Sequence, residues 1–207
     1  MIDSAPAAAA PRLGDPAPDF AARSTRGHVR LTDYRGQWVL FFSHPADFTP
    51  VCTTEFVALA RLAPRFESLG CALVGLSVDS LYAHLAWVRA IEERFGVEIS
   101  FPIIEDPSMV IGRAYGMIDD RSADTMAMRS AYFIDPSGII RAVTCYPHDV
   151  GRSADEMLRM VQALQAVEGG HALAPEGWQP GMPMLSLPPD RADGCMSAPD
   201  WFCRTLP

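Results

Sequence analysis

The sequence predicts an α/β protein in which a mixed sheet lies between helices, and three observations carry that reading. Short continuous apolar runs, WVLFFS at 38–43, ALVGLSV at 72–78 and FPII at 101–104, have the length and composition of strands buried on both faces. Stretches of helical period follow the first two, giving the strand–helix–strand–helix order that builds a parallel sheet. SAYFI at 130–134 and IIRAVTCY at 139–146 flank Asp135-Pro136-Ser137-Gly138. Pro and Gly there suit the second and fourth positions of a type I turn, so an antiparallel hairpin joins the parallel strands.

Each helix has its own signals. Over 53–69, Phe56, Leu59, Ala60, Leu62, Ala63 and Phe66 recur at helical spacing, with Gly70 as a stop and Pro64 as a kink. Asp79 and Ser80 cap a helix that carries Leu81, Leu85, Val88, Ile91 and Phe95 to Gly96. Asp106 before Pro107 marks another start, with Asp as N-cap and Pro at the first helical position. Ser153 and Glu156 form a capping-box pattern before a last long helix reaching about residue 167. Residues 1–12 are a low-complexity leader and 13–170 hold the core domain. Residues 171–207, proline-rich and aperiodic, form an extended arm or small appended domain.

A chain of 207 residues with 49% apolar and 20% charged residues suits one well-buried core. Its net charge of −8 leaves no basic footprint for nucleic acid or an anionic membrane surface, and neither partner is expected. The first residues carry Asp3, lack a basic region and are broken by Pro6 and Pro11, unlike a secretory signal. No apolar run approaches the ~18 residues of a membrane span. Five cysteines without a scaffold spacing point to reactive thiols in a reducing compartment, with the cytoplasm as the expected location.

Chemistry concentrates in SHPADFTPVCTTE at 43–55, where a Pro-containing loop delivers Cys52 to the start of a helix. Unpaired N–H groups and the positive end of the macrodipole there favour thiolate over thiol. Thr49, three residues earlier, serves by spacing equally well as a loop cap or as a hydroxyl beside the sulfur. Glu55 either complements the helix dipole or holds a cation, and His44 beside Pro45 either packs the loop or carries a proton. Cys71 and Cys145 fall in strands and are expected to be small packed hydrophobes. No C-x-x-C or close Cys/His pairing supports a metal site, and no cofactor is expected.

Pro45, Thr49 and Cys52 match the P-x-x-x-T-x-x-C signature of peroxiredoxins, and SHPADFTPVCTTE resembles the peroxiredoxin 6, or 1-Cys, subfamily. GLSVDS at 75–80, FPIIEDP at 101–107, RSAYFIDPSG from Arg129 and GRSADEMLRMVQALQ at 151–165 follow in the family's order. The resemblance implies a thioredoxin-like fold and a thiol-dependent peroxidase acting on hydrogen peroxide and organic hydroperoxides through a Cys52 sulfenic acid. It assigns Thr49 and Arg129 to the thiolate and the peroxide, Pro45 to shielding, and Glu55, His44 and Arg152 to supporting positions. DWFC at 200–203 resembles the C-terminal arm of archaeal-type members, whose downstream cysteine resolves the sulfenic acid on a neighbouring subunit. That role transfers to Cys203, with Cys195 as the alternative, since the two lie further apart than in those relatives. Implied partners are a thiol reductant such as thioredoxin and a second copy of the chain, with the dimer or a ring of dimers both open.

Other functions find less support. A serine lipase activity found in some animal relatives needs a serine where GQWV at 36–39 has Gln37. A metal module built on Cys195, Cys203 and His171 lacks close ligand spacing. A chaperone-like oligomer remains as the alternative to catalysis.

Overall fold

The computed structural model describes residues 10–118, 124–191 and 199–206. These residues form a seven-stranded sheet: β1 Ala21–Ser24, β2 Gly27–Arg30, β3 Trp38–Ser43, β4 Cys71–Ser77, β5 Ile103–Glu105, β6 Arg129–Ile134 and β7 Ile140–Tyr146. Its order is β2-β1-β5-β4-β3-β6-β7. The three apolar runs become the parallel centre: β3 pairs with β4, and β4 with β5. The hairpin β6–β7 adds to β3 antiparallel, which makes the sheet mixed. With helices against it, this is the thioredoxin-like α/β fold. Among the described residues no helix is long and apolar enough to cross a membrane.

Side chains alternate along the central strands, so each sheet face collects its own core. On one face, Phe42 of β3 meets Phe56 of α1 (Pro50–Ser68) with ring centroids 5.5 Å apart, and Phe56 meets Trp87 of α2 (Leu81–Phe95) at 4.7 Å. On the other, Phe41 lies among Phe20, Tyr115, Val74, Leu76 and Tyr132 in one buried cluster. Aromatic contacts thus fix α1 to the sheet and α2 to α1.

Several local expectations are corrected. The helix bearing Cys52 starts at Pro50 with Thr49 as N-cap, three residues earlier than the apolar period indicates, because Pro at the first helical position loses only a donor the helix does not use. Pro64 lies inside that helix. No helix starts at Pro107. Asp106 instead accepts from the Gly112 N–H through its carboxylate at 2.7 Å and from the Met109 N–H through its carbonyl, and the short helix α3 runs Val110–Ala114. On α2 the inward face is His84, Trp87 and Ile91, while Leu85 and Phe95 are exposed. Cys145 is exposed on β7 rather than packed, because that strand buries little apart from Ile140, whereas Cys71 is buried in β4 and its thiol is pushed up to about 12 by burial.

The hairpin turn forms where expected, with Gly138 N–H donating to the Asp135 carbonyl at 2.8 Å and Gly138 at φ 79°. The hairpin β1–β2 offers no apolar run to read, since each four-residue strand buries only one side chain fully. Helix α4, Ala154–Ala166, begins directly after Ser153.

The described residues fall into two compact units divided between Ala154 and Asp155, whereas the composition of the chain changes only after residue 170. Within the second, Trp178 is buried and its indole N–H donates to the Met182 carbonyl at 3.0 Å. Single bridges tie Leu173 to Leu185 and Leu185 to Thr205, so the described residues of the arm are folded loop rather than regular sheet.

Replacing the fully buried Phe41 with Ala removes a ring from the centre of one sheet face. Urea unfolding should show a loss of about 3–5 kcal/mol. A loss under about 1 kcal/mol would mean that this face does not carry the fold.

Candidate active site

Cys52 occupies the third position of α1 and is fully buried. Helix geometry leaves the N–H groups of Val51 and Cys52 without a partner inside the helix, so the sulfur sits at a start where backbone donors converge. The first intrahelical bond is Thr53 N–H to the Thr49 carbonyl at 3.0 Å. Thr53 Oγ1 returns to the same carbonyl and receives the Trp87 indole N–H at 3.3 Å, which locks the first turn onto α2.

Arg129, first residue of β6, reaches this turn. Its Nη1 lies 3.4 Å from Cys52 Sγ and donates to Glu55 Oε2 at 2.7 Å. Its Nε and Nη2 donate to the His148 carbonyl at 3.0 and 2.7 Å, which fixes the plane of the guanidinium. Glu55 also receives Arg152: backbone N–H and Nε to Oε1 at 2.7 and 2.9 Å, and Nη2 to Oε2 at 3.0 Å. Arg152 Nη1 donates to the Ser130 carbonyl at 2.7 Å, and its guanidinium lies over the Phe42 ring.

All three charged residues are buried. Burial pulls the Glu55 carboxyl up, but the bonds and charge of Arg152, with the charge of Arg129, outweigh it and hold the group below the usual carboxylate range. Two cations and one carboxylate leave this buried cluster one positive charge in excess, facing the sulfur.

The sequence-selected residues Cys52, Glu55, Arg129 and Arg152 thus come together in one hydrogen-bonded cluster. Pro45 is buried in the loop before α1. Thr49 makes the loop-capping bond, its Oγ1 donating to the Ala46 carbonyl at 2.8 Å. His44 is buried and bonds Asp47, with burial lowering its pKa. Cys203 is exposed beside Trp201 and Phe202, whose rings lie 5.7 Å apart. Cys195 lies outside the described residues.

Two side chains escape a reading of the sequence. Asp47 and the buried His84 join His44 in the one group among the described residues with metal-ligating chemistry. Asp47 offers a different oxygen to each imidazole, at 2.8 and 2.7 Å, the arrangement of two donors on a carboxylate rather than of ligands turned toward one ion. The signal for His84 is its place with Trp87 and Ile91 at i, i+3 and i+7.

Comparison with known proteins identifies the family. Residues 13–143 match the family described as AhpC/TSA. The chain is 49% identical over 188 residues to "Peroxiredoxin 2" of Caldanaerobacter subterraneus subsp. tengcongensis, covering 91% of this chain and 85% of the relative. It is 45% identical to "Peroxiredoxin 2" of Thermoplasma acidophilum, covering 89% and 92%. Among solved structures, a yeast mitochondrial 1-Cys peroxiredoxin superposes with a TM-score of 0.80 at 37% identity, covering 90% of this chain and 91% of that one. The peroxiredoxin 6 of Arenicola marina gives 0.81 at 30% identity, covering 90% and 88%. On these likenesses the chain belongs to the AhpC/TSA family as a thiol-dependent peroxidase of the peroxiredoxin type.

Proposed function

We propose that Cys52 is the peroxidatic thiol, that its substrates are hydrogen peroxide and organic hydroperoxides, and that the chain works in the manner of the peroxiredoxin 6 subfamily. The observation that carries this reading is the position of Arg129 Nη1, shared between Cys52 Sγ at 3.4 Å and Glu55 at 2.7 Å in a buried site. The excess positive charge of the Arg129–Glu55–Arg152 cluster is neutralised when Cys52 is a thiolate.

In this mechanism the thiolate attacks one oxygen of the peroxide and an S–O bond forms as the O–O bond breaks. The second oxygen leaves as hydroxide or alkoxide and takes a proton to become water or alcohol, while the sulfur is oxidised to sulfenic acid. Arg129 N–H groups stabilise the charge developing on oxygen, and the Thr49 hydroxyl, whose proton goes to the Ala46 carbonyl, offers its oxygen as an acceptor toward the peroxide. Buried Pro45 keeps other reactants from the sulfur.

A second thiol then condenses with the sulfenic acid, forming a disulfide and releasing water. We assign that thiol to Cys203 of a neighbouring subunit in a homodimer; its exposure and the adjacent aromatic pair support the assignment. An external dithiol such as thioredoxin returns the two electrons. In the yeast mitochondrial 1-Cys peroxiredoxin the thiol is resolved via glutathione/thioredoxin systems, which supports a thiol reductant here. Five cysteines without a scaffold spacing support a reducing compartment such as the cytoplasm.

Cys52→Ser should abolish peroxide consumption while leaving the far-UV circular dichroism unchanged; near-wild-type turnover would end this reading. Arg129→Gln should slow the peroxide step roughly 100-fold or more in stopped-flow measurements, the scale of losing one preorganised donor. An unchanged rate would remove Arg129 from the chemistry. Peroxide should convert the protein to a covalent dimer on non-reducing gels, and Cys203→Ala should prevent it. A dimer that persists in that variant but disappears with Cys195→Ala moves the resolving role to Cys195, and one that needs neither cysteine leaves resolution to an external thiol.

A further inference from the structure

His44, directly after β3, Asp47 in the following loop and His84 in α2 form a second buried polar cluster that the reaction above does not use. Asp47 Oδ1 lies 2.8 Å from His44 Nε2 and Oδ2 lies 2.7 Å from His84 Nδ1. His84 Nε2 faces the Ile104 carbonyl of β5 at 3.2 Å. None of the three side chains exposes more than 2% of its surface.

The partners decide where the protons are. Burial pulls the Asp47 carboxyl up, but the hydrogen bonds from His44 and His84 outweigh it, so the group lies below its ordinary value and is ionised. An ionised carboxylate and a carbonyl only accept hydrogen bonds, and His84 points one ring nitrogen at each. A neutral imidazole would aim a bare lone pair at one of these acceptors in a fully buried site. His44 differs: Nε2 donates to Asp47, while Nδ1 has no hydrogen-bond partner, so a single proton serves it.

We propose that His84 is a doubly protonated imidazolium paired with the Asp47 carboxylate, and that this buried ion pair positions the 44–49 loop for the chemistry at Cys52. The functional half rests on the peroxidase reading given above. Further carboxylates face the pair from the other elements around it. Asp79, after β4, accepts from the Asp47 N–H at 3.0 Å and from Ser77 Oγ at 2.7 Å. Glu105 of β5, held low first by the Leu81 N–H, is paired with Arg23, whose Nε lies 2.5 Å from Oε1. With Glu105 paired to Arg23, a cation at position 84 balances the buried carboxylate of Asp47 beside Asp79.

The mechanical consequence follows along the loop. His44 and Asp47 are both anchored, so Pro45 and Ala46 are clamped between them, and the Ala46 carbonyl receives the Thr49 hydroxyl at 2.8 Å. Phe48 is held at φ 58°, a left-handed conformation that a bulky residue adopts only when its neighbours are fixed. Thr49 then stands at the N-cap position of the helix that carries Cys52, its carbonyl accepting the Thr53 N–H. Asp47 and His84 act through these residues and are positioning residues.

Nitrogen-15 NMR of the histidine side chains in the reduced wild-type protein should show His84 protonated at both ring nitrogens and His44 at one. Asp47→Asn and His84→Gln should each slow both alkylation of Cys52 and its reaction with peroxide, by roughly 10–100-fold. The double variant leaves no buried charge unpaired, so it should react roughly fivefold faster or more than either single variant. A singly protonated His84, or losses that multiply in the double variant, would overturn the ion pair. Should a single variant fail to fold, the wild-type NMR still decides. Peroxide turnover by Cys52→Ser would instead end the peroxidase reading and leave the histidine result standing.

Discussion

Glu55 is the group on which the arrangement at Cys52 depends. One carboxylate, buried on the first turns of α1, takes hydrogen bonds from both Arg129 and Arg152 and so joins the start of β6 and the segment before α4 to the helix that carries the cysteine. Without it two guanidinium groups would lie unpaired in a buried site, a far larger penalty than the pair itself returns. With it, the cluster retains one positive charge beside the sulfur. Gly151 belongs to the same constraint, since a side chain there would press on Val51 Cγ1 at 3.2 Å, in the turn that holds Cys52.

The wider fold serves to hold this geometry. Phe42 and Phe56 fix α1 to one sheet face, and Trp87 fixes α2 to α1 through Phe56 and a bond to Thr53 in the first turn beyond Cys52. Arg129 comes from β6, whose pairing with β3 sets the height at which its side chain meets α1. Parallel and antiparallel pairing therefore supply different halves of the site: β3 leads into the loop before Cys52, and the hairpin supplies its cation.

Much of this is legible in the sequence, for physical reasons that differ by element. β3 and β4 stand out because strands buried on both faces give unbroken apolar runs, and the β6–β7 turn because Asp-Pro-Ser-Gly has one favoured conformation. The β1–β2 hairpin is hidden, since it buries too few side chains to leave a pattern. Of the apolar residues read on α2, Ile91 is buried and Leu81 and Val88 half-buried, but the helix turns His84 and Trp87 inward and leaves Leu85 and Phe95 in solvent. Asp106 looks like a helix cap and instead folds a turn before α3. At the site, Cys52 stands out by its position at a helix start. Arg129 can be chosen among the arginines only through family resemblance, because no local pattern distinguishes an arginine aimed inward across 77 residues from one in solvent.

The proposed control of Cys52 runs through a carboxylate that does not touch the sulfur and holds the two arginines. Stopped-flow measurement of the peroxide step in Glu55→Gln tests it most directly, because the amide keeps the shape while removing the charge and turning donors toward the guanidinium groups. The rate should fall roughly 10–100-fold in a protein that remains folded. A folded Glu55→Gln protein reacting at the wild-type rate would contradict it.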